Sequence, residues 1–221
     1  TITYMNRNVL IAGGGIAGMA TSFAAVRAGW QATVFERAPE FSEIGAGVQL
    51  GPNVTHILQA WGLADELAKV AAFPAGLHAR SMSTGEVLAT LPMKDAASTY
   101  GAPYVTIHRA DLHGLLLNAA KQAGVQVNSN AMVQKVSQFA DEAVFDVLQN
   151  GQRQQHIAAV AVAADGVWSP LREQLLNDGL PAFTGHIAYR ALVAQADLPA
   201  HLRSQDVSVW MGSQAHVVSY P

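Results

Sequence analysis

Asn8–Ala12 (NVLIA) is a short apolar run that ends in glycines, the pattern of a strand buried on both faces. Ile16, Met19, Ala20, Phe23 and Ala24 then recur at helical spacing, and Gly29 stands where a helix closes in a left-handed turn. Ala32–Phe35 predicts a second strand, which completes a βαβ unit and points to a doubly wound parallel sheet. Gly51-Pro52 opens another helix, with Pro at the first position, where its missing N–H costs nothing. Val54, Ile57, Leu58 and Trp61 form its apolar face. Leu77–Ser83 and Val87–Leu91 read as a strand pair turning at Thr84-Gly85, and Tyr104–His108 as a further strand. The helix after it carries Leu112, Leu115, Leu116, Ala119, Ala120 and Ala123 on one face and closes at Gly124.

Val125–Val127 returns as a strand, followed by three runs, Met132–Phe139, Ala143–Gln149 and Gln152–Ala163. Asn150-Gly151 between the last two is a hairpin signal, since both residues tolerate positive φ, and the three runs predict an antiparallel meander. Ser169-Pro170 supplies an N-cap and a first helical residue for a short helix to about Asn177. Beyond Pro181 the segments Ile187–Val193, Val207–Met211 and His216–Ser219 are strand-like. The fold class is therefore α/β, a Rossmann-like domain with a three-stranded antiparallel meander plus the start of a β-rich second domain. Because the sequence stops directly after a strand-like segment, the expectation is the N-terminal part of a longer protein.

Composition narrows the classes. Half of the 221 residues are apolar and 13% are charged, so the chain can bury a core and is not read as disordered. A formal charge of −3 gives no reason to expect nucleic acid or an anionic membrane as partner. The longest wholly apolar run, Ile157–Ala164, falls far short of the ~20 residues that cross a bilayer. Cysteine is absent, which removes disulfides, thiolate metal sites and a Cys nucleophile, and fits a reducing cytoplasm. The His residues are scattered without ligand spacing, so no metal is expected. Redox chemistry in such a chain has to come from an organic cofactor.

Gly13-Gly14-Gly15-Ile16-Ala17-Gly18 matches G-x-G-x-x-G between the first strand and its helix. Gly13 permits the tight turn, Gly15 lets a pyrophosphate approach the backbone, and Gly18 lets helix and strand pack closely. The helix N-terminus, with Ile16 and Ala17 in its first turn, offers free N–H groups and a partial positive charge to phosphates. Glu36 ends the second strand, where a carboxylate accepts hydrogen bonds from ribose hydroxyls. Arg37 next to it either lies over the adenosine, pairs with a 2′-phosphate or is a solvated surface charge. The loop alone does not separate FAD from NAD.

Three further stretches resemble the single-component flavoprotein aromatic hydroxylases, most closely the salicylate hydroxylase and 3-hydroxybenzoate 6-hydroxylase branch. They are Glu43–Asn53 (EIGAGVQLGPN), Ile107–Leu112 (IHRADL) and Ala164–Arg172 (ADGVWSPLR). In the first, three glycines let the backbone pass close to a flat ring system, and Gln49 is a candidate for the flavin ring or the substrate. In the second, the resemblance implies that Arg109 contacts the flavin cofactor, against the alternative of a surface pair with Asp111 or Glu36. In the third, Asp165 leaves a buried strand into a turn, where its carboxylate meets ribose or water near the pyrophosphate. The resemblance implies an FAD domain over 1–73 and 103–180 and a partial substrate domain over 74–102 and 181–221. The family's third motif, a Gly-Asp pair in the C-terminal half, lies beyond this sequence.

The resemblance also implies the chemistry. The cofactor is FAD, NADH or NADPH is the reducing co-substrate, and O₂ yields a flavin C4a-hydroperoxide that hydroxylates the ring of a phenolic acid. A phenol reacts far better as phenolate, so a base is expected, and imidazole titrates near neutrality. His216 and, four residues on, Tyr220 match a family stretch with an active-site His and Tyr, and on a strand 216, 218 and 220 share a face. The alternative is a histidine on a sheet surface. Tyr189 and Arg190 are weaker candidates, Arg190 for a substrate carboxylate or a cofactor phosphate, and Trp61, Trp168 and Trp210 are read as core. Two other readings stand beside this one: a non-catalytic FAD- or ADP-binding fragment, and an NAD(P) dehydrogenase, which leaves Glu43–Asn53 and Ala164–Arg172 without a role. A small aromatic substrate, no nucleic acid, no membrane and a homodimer complete the expectations.

Overall fold

The computed structural model describes residues 7–41 and 45–221. Its strands and helices in chain order begin with β1 (Asn8–Ala12), α1 (Ile16–Arg27), β2 (Gln31–Phe35), β3 (Gly47–Leu50), α2 (Pro52–Ala60) and α3 (Ala64–Val70). They continue with β4 (Ala71–Ala72), β5 (Gly76–Ser81), β6 (Val87–Pro92), α4 (Ala96–Tyr100), β7 (Val105–His108), α5 (Arg109–Gln122) and β8 (Gln126–Asn128). The meander β9 (Ala131–Phe139), β10 (Glu142–Gln149) and β11 (Gln152–Ala158) leads to β12 (Val160–Ala163), α6 (Pro170–Leu176), β13 (Val207–Met211) and β14 (His216–Ser219). No helix of the described residues is long and apolar enough to cross a membrane.

The backbone divides into two compact units: the described residues within Thr1–Glu43 and His113–Ile187, and those within Ile44–Leu112 and Ala188–Pro221. In the first, a parallel sheet runs in the order β12-β1-β2-β8. The chain leaves β1 in one direction to reach β2 and β8, and β12 joins on the other side, so the topological switch point lies at the C-terminal end of β1. This is the expected Rossmann-like α/β arrangement. The expected meander is present as β11-β10-β9. Asn150 (φ 51°) and Gly151 (φ 80°) both adopt positive φ, the turn that the Asn-Gly pair favours. Leu10, Ala12, Phe35, Ala131, Val133, Phe145, Val147, Ala158 and Leu171 form the core between the two sheets and α6. The Phe35 and Phe145 rings meet edge to face at 6.1 Å, a favoured aromatic geometry.

One expected strand is two. Gln152–Ala163 reads as one apolar-rich run, but it breaks at Ala159: β11 pairs with β10 in the meander and β12 pairs with β1 in the parallel sheet. The Asn8 side chain holds the break, accepting from the Ala159 N–H (2.9 Å) and donating to the Ile157 carbonyl (3.3 Å).

The second unit holds the sheet β14-β13-β5-β6 and a smaller one, β3-β7-β4. The hairpin β5–β6 and strands β13 and β14 match expectation. Ile187–Val193 forms no strand. Tyr189 is 94% exposed, and the other apolar residues of the segment lie open to solvent, because no edge of the described sheets pairs with it. Trp168 is likewise not core: it is 65% exposed, on the turn that follows Gly166 (φ 88°), whereas Trp61 and Trp210 are half-buried. The compact units divide the backbone at positions other than the expected domain boundaries near 73, 103 and 180. Buried Thr55 on α2 donates to the Pro103 carbonyl (2.6 Å) and fixes that helix to the strand-β7 approach.

Candidate cofactor-binding site

The glycine loop sits at the switch point. Gly13 adopts φ 100°, and a Cβ built on it would stand 2.7 Å from the Ala164 carbonyl carbon, so only glycine lets the loop lie against the end of β12. A Cβ on Gly18 would overlap the Gly13 carbonyl oxygen and stand 3.0 Å from its carbon. Helix α1 therefore starts in contact with the loop it follows. Its first turn carries no acidic residue and no side-chain cap, which leaves the N–H groups after Gly15 for an anion.

A cleft of about 210 Å³ opens beside the loop, lined on the polar side by Gly13, Gly15, Glu36, Arg37 and Asp165. Ala131, Met132 and Val133 of β9 supply an apolar wall. Enclosing a whole drug-sized ligand takes roughly 300–1,000 Å³, so this space encloses only part of such a ligand. Backbone hydrogen bonds place the wall: Glu36 N–H donates to Asn128 O (2.8 Å), and Ala131 N–H donates to Glu36 O (2.8 Å). Hydroxyl acceptors, an exposed cation, backbone N–H groups and a flat apolar surface are the set that a nucleoside diphosphate requires.

Glu36 is more constrained than the sequence suggests. Its Oε2 accepts from Gly14 N–H (2.7 Å) and its Oε1 from Ala38 N–H (2.8 Å). Each carboxylate oxygen keeps a second lone pair for a ribose hydroxyl. Asp165 is half-buried, and its Oδ2 lies at a long 3.5 Å from Leu171 N–H at the start of α6. Arg172 does not line this cleft; it bonds Asp178 and the Gly179 carbonyl and fastens the end of α6.

The sequence reading missed the β9 wall and His113. No motif marks Ala131–Val133, the start of β9, which the Ala131 N–H bond to the Glu36 carbonyl brings beside the loop. His113 is 4% exposed, within the apolar stripe of α5, and its Nε2 lies 2.6 Å from the Gly14 carbonyl oxygen. Its ring stacks on Phe41 (5.8 Å, 24°).

The remaining candidates lie in the second unit. Glu43 and Ile44 of the EIGAGVQLGPN stretch fall outside the described residues. Gln49 is exposed on β3, and its Oε1 accepts from the Tyr104 hydroxyl. Burial, and then the neighbouring Tyr220, push the Tyr104 hydroxyl above its ordinary pKa, so it stays a neutral donor and the Gln49 NH₂ keeps its two donors. Arg109 is half-buried, with its side chain beside Gly45. The Tyr220 hydroxyl donates to the Gly47 carbonyl (2.6 Å), and its ring occupies the space that a side chain at 47 would take. His216 is exposed, opposite Met211 in the β13–β14 pair. Tyr189 and Arg190 are exposed in the irregular segment.

Comparison with known proteins gives a consistent picture. The family model described as "FAD binding domain" matches residues 6–219. The chain is 38% identical over 219 residues to 3-hydroxybenzoate 6-hydroxylase 1 of Aquipseudomonas alcaligenes, covering 98% of this chain and 55% of that protein. It is 32% identical over 214 residues to 6-hydroxynicotinate 3-monooxygenase of Pseudomonas fluorescens, covering 96% and 54%. Its backbone is similar to that of CtdE in complex with FAD (TM-score 0.75, 21% identity, 97% of this chain and 55% of that one). It is also similar to p-nitrophenol 4-monooxygenase PnpA of Pseudomonas putida DLL-E4 (TM-score 0.71, 21% identity, 79% and 44%). The chain spans about half the length of the curated relatives it matches.

Proposed function

The chain belongs to the FAD-binding domain family, and from that premise we propose that it carries the adenosine-diphosphate grip of an FAD-dependent aromatic-ring monooxygenase. The observation that supports this most is the cleft at the C-terminal end of β1, where the glycine loop, Glu36, Arg37 and Asp165 meet an apolar wall. The first turn of α1 receives the diphosphate on backbone N–H groups from Gly15, Ile16, Ala17 and Gly18. Glu36 accepts from the ribose, Arg37 covers the adenosine, and Asp165 holds a hydroxyl or water near the diphosphate. FAD held there would supply the redox chemistry, accepting a hydride from NADH or NADPH and activating O₂.

Gln49 and Arg109 are assigned to the flavin ring, Gln49 through the donors that Tyr104 leaves open. The substrate is a small aromatic acid with a ring hydroxyl, the chemistry shared by the substrates in the names of 3-hydroxybenzoate 6-hydroxylase and 6-hydroxynicotinate 3-monooxygenase. His216 is assigned as the base that draws the phenolic proton, and Tyr220, four residues on, as the second catalytic group. His216→Gln should slow ring hydroxylation while leaving substrate-triggered cofactor reduction intact; wild-type turnover in that variant removes the assignment. A homodimer in a reducing cytoplasm is the setting proposed for it.

The test is direct. The protein titrated with FAD should quench flavin fluorescence to a saturable endpoint, and ADP should compete. NAD(P)H oxidation should then rise on adding hydroxybenzoates or hydroxypyridine carboxylates. Absence of FAD binding defeats the reading; binding without stimulated oxidation leaves only the cofactor-binding part of it.

A further inference from the structure

The two polar groups of Gly14 are both taken. Its N–H donates to Glu36 Oε2 (2.7 Å), and its carbonyl oxygen lies 2.6 Å from His113 Nε2. A carbonyl only accepts, so Nε2 carries the proton. Gly14 is buried and absent from the cleft wall, whereas Gly15 is half-buried and lines it.

The Gly14–Gly15 peptide is planar and trans, so the Gly14 carbonyl and the Gly15 N–H point in opposite directions. His113 pins the carbonyl toward the buried side. That leaves the Gly15 N–H turned outward, at a loop position that lines the cleft. A glycine peptide lacks a Cβ that would otherwise limit its rotation, so an external tether is what fixes this donor. His113 is itself held in place, 4% exposed and stacked on Phe41.

We propose that His113 is a positioning residue of the dinucleotide site: by holding the Gly14 carbonyl, it presents the Gly15 N–H to the diphosphate. This rests on the dinucleotide reading of the cleft given above. It assigns His113 a share of diphosphate affinity and none of the adenosine affinity, because its effect reaches the ligand only through the glycine peptide.

Two polar variants in the full chain separate this from a packing role. His113→Gln has an amide nitrogen at about the reach of Nε2, whereas the shorter amide of His113→Asn falls short of Gly14. Calorimetric titration with ADP, and separately with adenosine, reads the difference, with thermal melts confirming that both variants fold. The Asn variant should bind ADP about ten- to a hundredfold more weakly, the order expected for one hydrogen bond to a charged group. Its adenosine affinity should stay within about twofold of wild type, and the Gln variant should retain most of the ADP affinity. Equal losses for ADP and adenosine, wild-type ADP binding in the Asn variant, or a loss in Gln as large as in Asn would each overturn the proposal. If the wild-type chain binds neither ADP nor FAD, it is the underlying dinucleotide reading that fails.

Discussion

Gly18→Ala and Gly114→Ala make the same chemical change in two helices, and the structure assigns them opposite signs. In α1, a Cβ at 18 overlaps the Gly13 carbonyl oxygen and stands 3.0 Å from the carbonyl carbon; both atoms are backbone and cannot swing away. Overpacking costs ~1–3 kcal/mol, and an immovable neighbour puts this site near ~3. The better helix propensity of alanine offsets at most ~1 kcal/mol, which leaves a net loss of about 2 kcal/mol. In α5, nothing lies within 4 Å of a Cβ at Gly114, so only the propensity change of up to ~1 kcal/mol remains, as a gain. With a guanidinium m-value of ~4 kcal/mol/M, Gly18→Ala should unfold about 0.5 M earlier and Gly114→Ala about 0.2 M later. Equilibrium denaturation followed by circular dichroism reads both. ADP affinity should fall in the first variant and stay unchanged in the second. If Gly18→Ala unfolds at or above the wild-type midpoint, the close approach of helix and loop is not a constraint, and the account of the glycine motif fails with it.

Phe145→Ala empties a fully buried site against Phe35 and should cost ~3–5 kcal/mol; a shift below ~1 kcal/mol in the same denaturation assay would show that the meander is not packed on the parallel sheet. Gly151→Ala meets no neighbour within 4 Å but must adopt φ 80°, so it should cost about 1 kcal/mol through backbone strain alone, and a stability equal to wild type would count against the turn geometry. Asp206 accepts from the His78 ring (3.0 Å) and from the Gly76 and Ala75 N–H groups (3.0 Å each). Chiefly through the His78 hydrogen bond, its carboxyl sits below the ordinary value despite some opposing desolvation. The unfolded chain therefore binds this proton more tightly, and the stabilisation is complete above ~3.9 and drains as pH falls through the lower folded value. Asp206→Asn should be less stable than wild type near neutrality, with the gap closing on acidification; a gap constant between about pH 6 and 3 would refute the linkage.

Local chemistry was legible wherever one residue type has one use. Gly13, Gly29, Gly124 and Gly151 all adopt the positive φ that their sequence positions call for, and the Ser169 side chain accepts the Arg172 N–H (2.9 Å) as an N-cap should. The βαβ unit and the meander followed from runs whose burial and turn signals agree. The misreadings share a cause: sequence periodicity reports a face but not what covers it. Ile187–Val193 has the pattern of a strand and no described edge to pair with, and Trp168 has the size of a core residue but lies on a turn. Gly47–Leu50 holds one glycine and is flanked by Gly45 and Gly51, so it does not read as the strand it forms. In the cleft, the groups named by motif were legible. The β9 wall and His113 were not, because they approach the glycine loop only through long-range packing, the hydrogen bond from residue 113 to residue 14 among it.

The break at Ala159 has a mechanical consequence. One covalent run serves as the last strand of the antiparallel meander and, a residue later, as the neighbour of β1, with the Asn8 amide standing in for a peptide group at the crossing. Peeling the meander away drags on the strand that flanks the glycine loop, so the two layers open to solvent as a single cooperative unit rather than in turn. Amide protons on both layers then exchange with one shared free energy, and a nucleotide seated in the cleft slows them together.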